Sequence, residues 1–223
     1  MKDNIVLLYT KVPQIGNTKT RIAKESNEFF ALMVGLCSLR DTINKVSRSS
    51  HYDFIVVVNN EQEAKLFKDK LGLNTYVLDE TILQKDQSGR FSFLFTFFKK
   101  SYRNVILIPS DVPAITESTL TEAFGKLNTQ KYVFGPEFNG GVYLIGLGTL
   151  PNKVFENVRW STPYSVKDLI KNSSGSYLLE LQGDLNTLGD LKVFKESIRQ
   201  HSPLLYDRLM KIKFYEEKIY AYH

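Results

Sequence analysis

Cysteine is nearly missing from this sequence: Cys37 is the single one in 223 residues. One thiol can form neither an internal disulfide nor a cysteine-based zinc cluster. Its setting, Ala31-Leu-Met-Val-Gly-Leu-Cys37, reads as a small buried hydrophobe rather than a nucleophile. Histidine is scarce as well. His51, His201 and His223 have no metal-ligand spacing and pair visibly with no Ser or Cys nucleophile, so a hydrolase triad has no support. No apolar run approaches the roughly 18–20 residues needed to cross a bilayer. The opening Met1-Lys-Asp-Asn-Ile-Val-Leu-Leu-Tyr9 has a short apolar run and no small-residue cleavage pattern. It reads as a first strand and not as a signal peptide, so a cytoplasmic protein without a membrane span is expected. There is also no repeat, no low-complexity tract, no Pro/Gly linker and no run of five like charges.

What remains is an ordinary globular composition, with 43% apolar, 13% aromatic and 24% charged residues, enough for a sizeable core. The net charge of +5 favours an anionic ligand, and a nucleotide fits as well as a nucleic acid. Nucleic-acid binding is not expected, because the aromatics fall at core spacing and no RNA-binding signature is present.

Short β-branched runs alternate with longer amphipathic ones, the rhythm of βαβ units. Strands are predicted at 4–9, 54–58, 75–78, 104–108, 132–134, 142–146 and 176–181. Helices are predicted at 21–47, 61–71, 90–101, 117–127 and 163–171, with 79–89 as a mobile loop. Leu205, Leu209, Ile212, Tyr215 and Ile219 lie at helical spacing and predict a closing amphipathic helix. The fold class expected is α/β: a single-domain, mostly parallel mixed sheet flanked by helices. Residues 1–200 would form that domain, with 201–223 a helical extension packed on it. The extension, with Tyr206, Tyr215, Tyr220 and Tyr222, could instead pair two copies into a homodimer.

Ligands of open parallel sheets bind beyond the carboxyl ends of the strands. The loop after the first strand, Thr10-Lys-Val-Pro-Gln-Ile-Gly-Asn-Thr-Lys-Thr-Arg21, carries a turn glycine, hydroxyls and three cations, and opens a helix. That combination suits a phosphate. It is not a Walker A loop, because Lys19 comes three residues after Gly16. The residues alone leave a solvated loop equally open. The fourth strand ends in Ile108-Pro-Ser-Asp-Val-Pro113. There Asp111 could hold Mg²⁺ or Mn²⁺, or could merely fix a turn. Gly140-Gly141 would let backbone approach a ligand, or make a turn between two strands. Read locally, Trp160-Ser-Thr-Pro163 is structural, with Thr162 as N-cap and Pro163 at the first helical position.

Together these clusters resemble a known family. Lys11-Val-Pro-Gln-Ile-Gly-Asn-Thr-Lys-Thr-Arg-Ile22, Ser110-Asp-Val-Pro113, Gly135-Pro-Glu-Phe-Asn-Gly-Gly-Val-Tyr-Leu-Ile-Gly-Leu147, Phe155-Glu-Asn-Val-Arg-Trp-Ser-Thr162 and Asp184-Leu-Asn-Thr-Leu-Gly-Asp-Leu191 stand in register with the motifs of the bacterial nucleotide-diphospho-sugar-transferase-like proteins of the DUF2064 group. The resemblance covers about residues 5 to 191 and implies the fold of GT-A glycosyltransferases and sugar nucleotidyltransferases. Its implied catalytic positions are Asp111 and Asn139. Lys11, Gly16, Lys19, Thr20, Arg21 and Ser110 would bind the nucleotide phosphates. Gly140, Gly141, Trp160, Ser161 and Thr162 would line the substrate pocket, and Asp111 with Asn186 would hold Mg²⁺ or Mn²⁺.

Two positions depart from the family pattern. Asn139 stands where the family has Asp before Gly-Gly, and Asn186 where it has the second Asp of its D-x-D-T element. An amide keeps the shape and a carbonyl oxygen but loses the charge and the proton chemistry. The expected function is a metal-dependent glycosyltransferase using a nucleotide-diphospho-sugar and an unknown acceptor. The alternatives are a nucleotidyltransferase using a nucleoside triphosphate and releasing pyrophosphate, or a catalytically weakened nucleotide-binding protein.

Overall fold

Ile5-Val-Leu-Leu8 and Val105-Ile-Leu-Ile108 are almost wholly buried, which is what two central strands covered on both faces require. They lie in β1 (Lys2–Tyr9) and β4 (Tyr102–Ile108), parallel neighbours registered Ile5 to Val105 and Leu8 to Ile108. A computed structural model describes the backbone of residues 2–220 and the side chains of residues 2–212. The remaining strands are β2 (Asp53–Val58), β3 (Thr75–Val77), β5 (Tyr132–Pro136), β6 (Val142–Leu147) and β7 (Ser176–Leu178). They complete a seven-stranded sheet of order β3-β2-β1-β4-β6-β5-β7. Only β6 runs against its neighbours, β4 and β5, so the architecture is α/β with a mostly parallel mixed sheet.

Two compact units divide the chain. The first comprises residues up to Val12, Val46–Ser110 and Glu117–Gln182, and holds the whole sheet. Its helices are α3 (Glu61–Leu71), α4 (Glu80–Leu83), α5 (Gln87–Phe98), α6 (Glu117–Leu127) and α7 (Ser165–Asn172). On one face, Ile5, Leu7, Val105 and Leu107 join Phe91, Leu94, Phe95 and Phe98 of α5 and Leu169 of α7 in one apolar cluster. On the other, Leu127 of α6 lies over Gly146, beside Ile106 and Val133.

The second unit comprises Pro13–Lys45, Asp111–Thr116 and the chain from Gly183 onward. It contains α1 (Thr20–Glu25), α2 (Glu28–Val46), α8 (Leu188–Val193), α9 (Lys195–His201) and α10 (Pro203–Tyr220). Its core is Ile22, Ala31, Val34, Leu185, Leu191, Ile198 and Leu205. Buried Asp41 accepts the backbone N–H groups of Leu204 and Leu205 at 3.2 and 3.0 Å, capping the start of α10.

Several boundaries differ from the sequence expectation, each for a local reason. The helix expected over 21–47 is two helices, because the Asn27 side chain accepts Phe30 N–H at 2.9 Å and starts a new one. The loop expected over 79–89 contains α4 and the start of α5, whose first turns are capped by Asp79 and Asp86. Tyr164, not Thr162, precedes the helix α7; Thr162 Oγ1 instead accepts Tyr164 N–H at 3.2 Å within the preceding turn. The strand expected over 176–181 ends at Leu178. Leu205 and Leu209 do turn their apolar sides to the second core. The side chains of Tyr215, Ile219 and Tyr220, and the whole of Tyr222, lie outside the described residues, so the helix-pairing expectation has no described contact. Among the described residues no helix is long and apolar enough to cross a membrane.

Candidate functional site

Lys19 occupies a left-handed backbone conformation at φ 46°, immediately before α1. Backbone in this region is uncommon for a residue with a side chain, and Lys19 holds it with a side chain that is only 12% exposed. Its ammonium donates to Asp111 Oδ2 at 2.7 Å and to the Leu185 carbonyl at 2.5 Å. Leu185 N–H in turn donates to the Asp111 carbonyl at 3.0 Å, so backbone and side chain fix the two segments together. Asp184 completes the cluster. Burial pushes its carboxyl above the usual aspartate range, and the nearby Asp111 carboxylate adds to the rise; Lys19 and a hydrogen bond donated by the Asn186 amide oppose it. The ammonium is thus bonded to Asp111, and Asp184 lies near enough for both charges to act on it.

Five of the residues expected to bind phosphate or metal thus share one unit with Asp111. Lys19 and Asn186 reach the acidic pair, whereas Thr20 and Arg21 are exposed in the first turn of α1, and Gly16 is exposed at φ +81° in the turn before it. At six residues α1 is too short for a helix-dipole argument; the local positive charge is that of the side chains. Asp184 was missed by the sequence reading, although it is the unaltered first acid of the Asp184-Leu-Asn-Thr stretch. Gly183 before it packs under Phe194: a Cβ there would stand 2.0 Å from the ring, which would have to move aside.

Lys11 and Ser110 belong to the first unit. Lys11 is exposed, and Ser110 Oγ lies 3.2 Å from Thr10 Oγ1, joining the carboxyl ends of β4 and β1. A cavity of about 300 Å³ opens at these same strand ends, lined by Tyr9, Ile108 and Pro109, by Gln87, Arg90 and Phe91 of α5, and by Val142 and Tyr143 of β6. Arg90 is held in place by donating to the Leu83 and Lys85 carbonyls at 2.5 and 2.9 Å. Sequence reasoning missed this wall because α5 was read as starting at 90, three residues late.

The Asn139-Gly140-Gly141 turn links the antiparallel β5 and β6. Asn139 Oδ1 accepts Gly141 N–H at 2.7 Å, so the amide oxygen is engaged in building the turn. Gly140 sits at φ +83°, and a Cβ on it would be 2.2 Å from the Pro163 carbonyl oxygen, so this position admits glycine alone. Trp160 packs edge-on to Phe91, with centroids 5.0 Å apart, and its indole N–H donates to Ser88 Oγ at 2.8 Å. Ser161 takes a positive φ of 58° and is exposed, while Thr162 Oγ1 donates to the Arg159 carbonyl at 2.7 Å. The described contacts of Trp160 and Thr162 are structural, and Asn139, Gly140, Gly141, Trp160, Ser161 and Thr162 all lie in the first unit.

Solved structures of low sequence identity share this fold. A protein from Desulfovibrio desulfuricans G20, provisionally described as a nucleotide-diphospho-sugar transferase, has a TM-score of 0.80 at 24% identity, over 95% of each chain. A cytidylyltransferase from Leptospira borgpetersenii serovar Hardjo-bovis (strain JB197) has a TM-score of 0.58 at 13% identity, over 98% of this chain and 97% of that one. For the 4-diphosphocytidyl-2C-methyl-D-erythritol synthase of Anaerococcus prevotii DSM 20548 the values are 0.55 and 10%, over 89% and 96%. No curated protein matches the chain by sequence. Residues 42–162 match the family DUF2064, described as an uncharacterized protein conserved in bacteria, and the chain belongs to that family.

Proposed function

We propose that the chain is a nucleotide-dependent transferase that moves a glycosyl group from a nucleotide-diphospho-sugar, with Lys19, Asp111 and Asp184 as its phosphate- and cation-handling centre. The observation that carries this reading is the Lys19 ammonium held at 2.7 Å from Asp111, with the Asp184 carboxyl near enough for both charges to act on it. Such a centre is poised for exchange. A diphosphate offers Lys19 a stronger partner than one carboxylate, because phosphate oxygens are several and more highly charged. Thr20 and Arg21, exposed one and two residues beyond Lys19, are the next donors along the chain. Gly16, in the same unit, is proposed as a further phosphate contact, and Lys11 and Ser110 are proposed as phosphate donors at the strand ends of the first unit.

The donor set fits Mg²⁺ or Mn²⁺ in one particular way. Among the described residues no three His, Cys, Asp or Glu side chains gather in a metal-binding group. One or two carboxylates completed by substrate phosphates and water is nevertheless the usual arrangement for Mg²⁺. Asp111 and Asp184 would supply those carboxylates, and Asn186 at most a neutral oxygen. A bound divalent ion would neutralise charge on the departing nucleoside diphosphate. The chain's own residues perform the rest: Lys19 and Arg21 hold the diphosphate through bond cleavage, when negative charge builds on the leaving oxygen. The Asn139-Gly140-Gly141 turn, with Trp160, Ser161 and Thr162, is proposed to bind the acceptor. Asn139 would orient it by hydrogen bonding and carry no proton, since an amide does not titrate near neutral pH.

Nucleotidyl transfer is the second reading, favoured by the cytidylyltransferases among the similar structures. The two readings differ in what is released. A labelled-nucleotide product assay with a panel of nucleotide-sugars, nucleoside triphosphates and sugar phosphates separates them: nucleoside diphosphate marks glycosyl transfer and pyrophosphate marks nucleotidyl transfer. Nucleotide binding without turnover under every combination would place the chain with non-catalytic nucleotide-binding proteins.

A further inference from the structure

Helices α2, α8, α9 and α10 of the second unit enclose a recess of about 740 Å³ that the proposed transfer does not use. Its walls are Phe30, Met33, Leu191, Ile198 and Leu209, and its mouth is flanked by Phe29, which is 72% exposed. Burying apolar side chains stabilises a fold, so a well-packed unit leaves few such hollows; one this large and apolar has the dimensions of a ligand site. The charged side chains that line it are basic. Lys192 and Lys195 are exposed where they line it, and none of its described lining residues is acidic. Of the acids next to lining residues in sequence, Glu25 accepts Leu188 N–H at 2.8 Å, Asp190 caps the start of α8, Glu196 is held by Arg199 at 2.5 Å, Asp207 is held by Lys211 at 2.8 Å, and Glu28 is exposed in the first turn of α2.

We infer that this recess binds a single-chain anionic amphiphile of the fatty-acid class, its alkyl chain between α2 and α10 and its carboxylate at Lys192 and Lys195. A second copy of the chain fits less well. In a two-fold dimer the same patch meets itself, and two concave apolar surfaces face to face leave a void. A flexible alkyl chain fills an irregular hollow, and the thioethers of Met33 and Met210 can adjust around it. Charge complementarity fixes the head group, since a neutral alcohol would leave both ammonium groups unanswered.

Titration calorimetry of the full chain with octanoate, decanoate and laurate tests this directly and needs no nucleotide. One molecule should bind per chain, with affinity rising about tenfold for each pair of methylenes added. Met33→Trp, which fills the recess, should abolish binding. Should that variant fail to fold, the double charge reversal Lys192→Glu/Lys195→Glu at exposed positions serves instead. It should weaken decanoate about tenfold or more while leaving 1-decanol within twofold. Four outcomes would overturn the inference: no saturable binding; equal affinity for decanoate and 1-decanol; concentration-dependent dimerisation that decanoate does not affect; or co-sedimentation with phosphatidylglycerol vesicles in the absence of binding to free laurate. Each leaves the nucleotide reading standing, because none of these variants touches Lys19, Asp111 or Asp184.

Discussion

Lys19 Nζ stands 2.7 Å from Asp111 Oδ2 across 92 positions of sequence, and both groups are mostly withdrawn from water, with side chains 12% and 28% exposed. A pair of this kind loses more when one partner goes than it gains by existing, because the remaining charge stays partly desolvated. The Lys19 turn and the segment after β4 are held by that pair and by the Leu185 backbone.

Removing the ammonium should therefore cost both stability and binding. Lys19→Met leaves Asp111 and Asp184 facing each other without a cation. We expect urea unfolding to show a loss of about 1–3 kcal/mol and nucleoside diphosphate affinity to fall roughly tenfold or more. Lys19→Arg should not restore either fully, since the planar guanidinium cannot reproduce a point contact to both Asp111 and the Leu185 carbonyl.

Asp184→Asn should separate stability from function. The raised carboxyl of Asp184 means that its charged form is disfavoured in the folded protein relative to the unfolded chain. A neutral isostere relieves that penalty at neutral pH, so thermal unfolding should move upward by about 2–4 °C. Mn²⁺-dependent nucleotide binding should weaken at the same time, because a carboxylate has been lost from the cation site. A variant that is both less stable and equally good at binding would contradict the assignment.

Gly140 in the Asn139-Gly140-Gly141 turn has no room for a methyl group. Gly140→Ala combines a positive φ with a Cβ 2.2 Å from the Pro163 carbonyl oxygen, and should cost about 2 kcal/mol or more. Trp160, three residues before Pro163 and the only tryptophan, reports the change as a shift of its fluorescence emission during unfolding.

Lys45 supplies a pH dependence. Its ammonium donates to the Pro113 carbonyl at 2.5 Å, and burial brings its pKa down to about 8, with Asp41 one turn earlier opposing the drop. His201 faces it too, and its imidazole is held below the ordinary histidine value by burial and by Lys45. With the folded pKa below the unfolded one, the unfolded chain binds more protons from about pH 8 up to the ordinary lysine range. Stability gains from this group as pH rises through that window, and its burial penalty is fully present below it. The stability difference between Lys45→Met and the natural protein should thus be pH-independent below 8 and shift toward the natural protein above it, as chemical denaturation from pH 7 to 10 would show.

Some of this was open to reading in the sequence because the signals were local. The helix at 61–71 is bounded by Asn60, whose side chain accepts Glu63 N–H, and by Gly72 at positive φ; both are visible as residue types. Buried strands such as Val105-Ile-Leu-Ile108 were equally plain from their unbroken apolar runs. Other features were not legible. Asn27 splitting a helix and Asp79 capping a four-residue one depend on single side-chain hydrogen bonds inside polar stretches that also spell loops. The capping box of Thr187 and Asp190 that starts α8 was spelled out, yet the same residues had been absorbed into a motif. The place of Asp184 beside Asp111 is a tertiary fact that no spacing encodes, and the Asp184-Leu-Asn-Thr stretch marks only Asn186 as unusual.

The account rests on a phosphate-bearing ligand and a divalent ion sharing Lys19, Asp111 and Asp184. Electron paramagnetic resonance of Mn²⁺ is its most direct test, read as loss of the free-ion signal on adding protein, with and without an equimolar mixture of nucleoside diphosphates. We predict weak capture of Mn²⁺ by the protein alone, at least tenfold stronger capture once nucleotide is present beyond that due to nucleotide itself, and loss of the gain in Asp111→Asn. An undiminished ternary signal in the double variant Asp111→Asn/Asp184→Asn would contradict it.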